Sequence, residues 1–186
     1  MKALALVGGG LFALILAIAV VCGVSYVSAN NYGVGIEAQL KAARDDNQNI
    51  LASYTQKIKE AAQVPDMYVA DLKKITDAAI QGRYGPDGSK AVFQFLKEQN
   101  PNLDSKLYAK LQQIIESGRD EFKNGQTKML DVRRQYETQQ GLFWRGLWLR
   151  IAGFPKVDMN LFKPVVIDSV AAAFEKGRED GPIKLR

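Results

Sequence analysis

The residues of this chain best suited to chemistry form an aromatic and basic cluster, Phe143, Trp144, Arg145, Trp148 and Arg150, within the run FWRGLWLR. Indole rings favour the headgroup level of a bilayer and guanidinium groups favour anionic lipid. The chemistry on offer is therefore attachment to a membrane surface or to a partner, not bond making. Arg133 and Arg134 add an adjacent pair of guanidinium groups suited to a phosphate or an acidic partner, with solvation as the ordinary alternative. The aromatic run also has a plain packing interpretation: Phe143, Leu147 and Ile151, spaced by four, would close the base of a helical core.

Catalytic groups are scarce around it. The 186 residues include no histidine, which removes imidazole acid–base chemistry, Ser-His and Cys-His nucleophiles, and nearly all zinc and non-haem iron sites. The single cysteine, Cys22, lies inside an apolar run, where a thiolate is disfavoured. The loop GRYGPDGSK has glycines and a lysine but neither Walker spacing nor a preceding strand, so it reads as a turn. Asp45 and Asp46, with Glu37 nearby, could attract a cation. Adjacent carboxylates on a helix diverge by about 100°, however, and a solvated face is the expectation. The net charge of +5 is spread along the chain, whereas a nucleic-acid surface concentrates charge on one stripe among aromatic platforms. These features predict a non-enzymatic protein with no cofactor, no metal and no nucleic-acid partner.

The cluster must be held by something, and two kinds of element are available. From Ala3 to Val27 the chain carries no charge. A hydrocarbon core about 30 Å thick needs roughly 20 apolar helical residues, so this run predicts a single-pass, N-terminal, uncleaved anchor. Two competing features are a small-residue site at Val27-Ser28-Ala29 that resembles a signal cleavage site, and Cys22 as a lipidation point, where Val20 and Val21 fit poorly. Lys2 on one side and Lys41 and Arg44 on the other tip the orientation only slightly toward a cytoplasmic N-terminus.

Beyond a short Gly-Asn segment, ANNYGVG, apolar residues recur at steps of three and four: Ile36, Leu40, Ala43, Asn47, Ile50, Tyr54, Ile58 and Ala61. That spacing is one face of a helix, ended by Pro65. Asn47 interrupts the stripe, as a partly exposed polar residue by expectation or as a register-fixing asparagine at a seam. Helices follow at 66–81 and 89–99. The longest runs from about Asp104 to Ile151, with Gly118 and Gly125 on its stripe, either for close approach of a neighbour or for a kink. On its charged face Glu116, Arg119, Asp120, Glu121 and Lys123 are spaced for pairs along the helix. The class is all-α: an N-terminal transmembrane helix followed by an antiparallel long-helix bundle. The domains are an anchor at 1–29, a bundle at 30–155, and an extension at 156–186 with one short amphipathic helix at about 168–178.

Length connects the cluster to the anchor. Helix 36–61 rises about 40 Å and helix 104–151 about 70 Å, so the second can return the whole way and bring Phe143, Trp144, Arg145, Trp148 and Arg150 to the bilayer. At NPNLDSKLYAKLQQIIESGRDEFKNGQTKMLDVRRQYE the chain resembles the LemA family of bacterial membrane proteins, through Pro101, Leu103, Leu111, Gln112, Glu116, Arg133, Arg134 and Tyr136. Asn31-Tyr32 and the closing AGFP are similar too, while LKAARDDNQNILASY lacks the proline and paired arginines common on the family's first soluble helix. The resemblance implies a membrane-anchored helical bundle without a defined mechanism. The expected partners are the lipid bilayer and an unidentified protein. Two functions compete: an interaction or scaffolding module, and an envelope-remodelling effector that inserts the basic aromatic segment into lipid.

Overall fold

The computed structural model describes residues 2–101, 104, 106–165 and 175. It is all-α, with no strand among the described residues. The helices are α1 (Lys2–Ala62), α2 (Val69–Ile80), α3 (Gly88–Gln99), α4 (Lys106–Gly141) and α5 (Phe143–Ile151), with short 3₁₀ turns at Asp66–Tyr68, Gly85–Asp87 and Met159–Phe162. The amphipathic helix expected at about 168–178 lies outside the described residues.

Two expectations about element boundaries are corrected. ANNYGVG is not a break, because α1 runs through it without interruption. The long C-terminal helix is two helices: α4 stops at Gly141, Leu142 is extended, and α5 begins at Phe143. The chain clusters into two compact units, Met1–Ala42 with Met129–Lys163, and Ala43–Lys128 with Pro164–Arg186.

The Ala43–Lys128 unit is a helical bundle with its own core. The apolar seam of α1 (Leu51, Tyr54, Ile58) meets Leu72, Ala79 and Ile80 of α2, Val92 and Leu96 of α3, and Leu111, Ile115 and Phe122 of α4. Each fully buried leucine or isoleucine of this set contributes about 1.5–3 kcal/mol. The pairing of α1 with α4 is antiparallel: Gly118 faces Tyr54, while Gly125 faces Ile50 and Asn47. A Cβ on Gly118 would stand 3.0 Å from Ile80 and 3.1 Å from Tyr54, and α4 continues unbroken through both glycines, so close approach is the reason for them. Asn47 is buried, not partly exposed: its amide donates to the Ala43 carbonyl at 3.1 Å and its Oδ1 lies against Gly125. A side chain at 125 would displace that oxygen.

Arg119 departs from the expected surface pairing. Its Nε donates to the Ala79 carbonyl at 2.9 Å and its Nη2 to the Gly85 carbonyl, so it fastens the end of α2 and the following turn to α4. Gly88 sits under the guanidinium, which leaves no room there for a side chain.

The end of α1 shows how strictly this unit controls its backbone. The Val64 amide donates to the Lys59 carbonyl at 3.1 Å, the six-to-one bond of a Schellman cap, and Val64 is buried in the same core as Ile58. The residue that must be left-handed there is Gln63, at φ 51°, where glycine is preferred. Gln63→Gly is expected to raise stability by about 1 kcal/mol, read as an upward shift in the thermal midpoint followed by circular dichroism. An unchanged or lowered midpoint would show that the left-handed geometry is not a source of strain.

Candidate functional site

The candidate site lies in the Met1–Ala42 and Met129–Lys163 unit. Among the described residues one helix, α1, is long and apolar enough to cross a membrane. Its N-terminal stretch stands uncovered by the rest of the protein, with Leu11, Phe12, Ile15, Ile18, Val24 and Val27 all exposed. Packing begins at Cys22 and Ser25, both half-buried, and is complete by Ala29, Gly33, Ile36 and Leu40, which are buried at steps of four, three and four.

The residues that cover this part of α1 come from the reversal between α4 and α5. The extended Leu142 turns the chain, and its carbonyl accepts from the Gly146 amide at 2.7 Å. Gly146 is buried directly against the Gln140 carbonyl oxygen, leaving no space for a Cβ. α5 ends in a second Schellman cap: Gly153, at φ 79°, donates to the Arg150 carbonyl, and Phe154 donates to the Leu149 carbonyl, each at 3.0 Å. Leu149 and Phe154, the apolar pair of that cap, are both buried. The Phe154 ring lies flat on Gly33, where a Cβ would come within 2.6–2.7 Å of three ring carbons. Gly33 therefore serves as a seat for an aromatic ring inside a continuous helix.

A buried carboxylate completes the unit. Glu37 is only 8% exposed, and its Oε1 accepts from the Tyr136 hydroxyl and from the Lys156 amide, each at 2.8 Å. One side chain of α1 thus holds α4 and the segment after α5. Burial, reinforced by the Glu37 carboxylate and partly offset by Gln140, pushes the Tyr136 phenol far above its ordinary range. Glu37 is accordingly no partner for Asp45 and Asp46 in a cation site; Asp46 instead pairs loosely with Lys128 at 3.6 Å. No group of three or more histidine, cysteine or acidic side chains among the described residues could hold a metal ion.

The seven residues singled out by the sequence do not form one site. Trp144 stacks edge-on against Trp148, with centroids 5.7 Å apart, and donates from Nε1 to Ser25 Oγ at 3.1 Å. The aromatic cluster is thereby fixed beside the point where the apolar run of α1 becomes covered. Arg145 turns inward, its guanidinium 4.9 Å from the centre of the Tyr32 ring and its Nη1 donating to Gln139 at 3.1 Å. Arg150 is exposed. Arg133 and Arg134 bond within α4, to Glu137 at 2.8 Å and Asp131 at 3.0 Å, and Arg133 also reaches the Phe162 carbonyl at 3.4 Å.

The packing interpretation of Phe143, Leu147 and Ile151 is overturned. These residues form the outward face of α5, with Phe143 87% exposed, while Gly146 and Leu149 face inward. Of the residues that organise the site, Ser25 and Gly33 were not singled out, Tyr32 and Tyr136 entered only through the resemblance, and Glu37 only as a possible cation ligand.

No family model, curated protein or solved structure matches this chain.

Two substitutions test this geometry. Tyr136→Phe is expected to cost about 1.5–3 kcal/mol at neutral pH, since a hydrogen bond to a charged group is lost. The folded pKa is raised, so the contribution is complete below the unfolded phenol value of about 10 and declines above it. The gap between wild type and variant in denaturant titrations should therefore narrow as pH rises past about 10; a gap constant through that range would sink the assignment. Gly146→Ala forces a methyl group onto a backbone oxygen and is expected to cost about 1–3 kcal/mol. Near-ultraviolet dichroism of Trp144 and Trp148 should weaken with it, and an unaltered spectrum would contradict the tight reversal.

Proposed function

We propose that this protein is a single-pass, membrane-anchored helical bundle, LemA-like in organisation, that works as an interaction or scaffolding module at the membrane and not as a catalyst. The observation that carries the reading is the continuity of α1: one helix contains both the uncovered apolar run and the seam residues of the bundle. The partner-facing surface we favour is a groove of about 500 Å³ between α1 and α4, where Ala43, Ile50 and Gly125 lie among Asp46, Asn49, Ser53, Asn124 and Lys128. This mix of apolar and polar side chains suits a protein segment.

A second reading, an effector that perturbs the envelope by inserting α5 into lipid, is favoured by one observation, the exposed apolar face of that helix.

The test has two arms. The full chain should stay with membranes through alkaline carbonate extraction. A photo-crosslinking residue at Asn49 or Asn124 should give a discrete protein adduct on illumination in its native cell. Release by carbonate would defeat the anchor, and adducts absent from both groove positions would defeat the scaffolding module. Leakage from vesicles carrying the full chain, abolished by Phe143→Glu, would favour the effector instead.

A further inference from the structure

The outward face of α5 is built from Phe143, Trp144, Leu147 and Ile151, four large apolar side chains between 42% and 87% exposed, with Leu142 at the turn also exposed. An apolar face of this kind on a water-soluble surface is unfavourable unless something covers it. Three features of the chain identify what does.

The first is position. Trp144 is bonded to Ser25 of α1, immediately beside Val24 and Val27, which are themselves exposed. The apolar surface of the uncovered run therefore continues onto α5. The second is depth. From Ala3 to Ser25 the helix rises about 33 Å, close to the thickness of a hydrocarbon core, so the Ser25–Trp144 bond falls at a boundary between acyl chains and headgroups. The third is charge. Between Glu137 and Asp158 the chain has no acidic residue but carries Arg145, Arg150 and Lys156, a balance that suits an anionic bilayer surface and no acid-rich water-facing one.

The geometry points to α5 as a second membrane contact: its Phe143, Leu147 and Ile151 face is seated in the interfacial layer of the same bilayer that α1 crosses, with Trp144 at headgroup level. This rests on the anchor reading above. It assigns to the bilayer the three residues that periodicity alone would put in a protein core. A lone helix is free to tilt and rotate in lipid. A second contact fastened to it through Ser25, Gly33 and Glu37 removes that freedom for this unit.

The experiment uses the full chain in liposomes of mixed neutral and anionic phospholipid, with lipids brominated at different acyl depths. In a Trp148→Phe variant, Trp144 reports the headgroup level. Phe143→Trp in a Trp144→Phe, Trp148→Phe background reports the tip. The tip reporter should be quenched most by bromines about 5–10 Å below the headgroup boundary, and Trp144 by shallower ones. Adding Leu147→Glu should abolish the depth dependence of both while far-ultraviolet dichroism stays unchanged. A tip reporter quenched by aqueous iodide and indifferent to brominated lipid overturns the inference. So does one shielded from both that crosslinks to a second copy of the chain. Retention through carbonate extraction separates the two failures: a retained protein without lipid quenching loses only the α5 contact, and an extracted one loses the anchor as well.

Discussion

A carboxylate withdrawn from water is expensive unless it is hydrogen-bonded, and Glu37 is the place where this chain accepts that constraint. Its Oε1 takes the Tyr136 hydroxyl from α4 and the Lys156 amide from the strand of chain that leaves α5. Those two bonds close a short loop of structure around α1: down α4, through Leu142, back along α5, and over Gly33 with the Phe154 ring. Remove the carboxylate and both the phenol and the amide lose their shared partner in a buried place. The aromatic seat of Phe154 and the cap at Gly153 lie beside that anchoring point, since the same few residues, 153–156, carry all three interactions.

Glycine does a different job here from the one it does in loops. At 33, 118, 125 and 146 it lies inside a helix and removes a side chain so that something else can approach: a ring, a pair of side chains, an amide oxygen and a backbone carbonyl respectively. Each such position costs helix propensity of about 1 kcal/mol against alanine. The compensation is packing at van der Waals distance along seams that would otherwise be held apart.

Much of this was legible in the residues. The stripes of α1 and α4 declare themselves by steps of three and four, and the antiparallel return of the chain to the anchor follows from helix length. What was not legible shares a physical cause. Periodicity reports which residues line one face; it does not report which of two apolar faces is turned inward. In FWRGLWLRI apolar side chains surround most of the helix, and the choice is made by Gly146, which alone can sit against the Gln140 carbonyl. Once Gly146 and Leu149 face inward, Phe143, Leu147 and Ile151 must face out. Asn47 and Arg119 were misjudged for a related reason. Their burial and bonding depend on Gly125 and on the carbonyls of Ala79 and Gly85, partners distant in sequence. ANNYGVG reads as a short Gly-Asn segment between two helices, yet Gly33 there is a packing position within α1.

The unbroken helix between Ser25 and Glu37 has a consequence for how the gene can vary. The two residues are separated by about three and a third helical turns, and each must present its side chain at a particular azimuth, one to Trp144 and the other to Tyr136 and Lys156. Inserting or deleting a single residue in that interval would rotate one azimuth against the other by about 100°. Substitutions there are tolerable when they keep the seam, but length changes are not. From residue 8 to residue 21, where the helix is exposed throughout, the same insertion disturbs no packing within the protein and changes only the length of the apolar run. The chain is therefore divided, within one helix, into a stretch whose length is held by the thickness it must match and a stretch whose length is locked in phase.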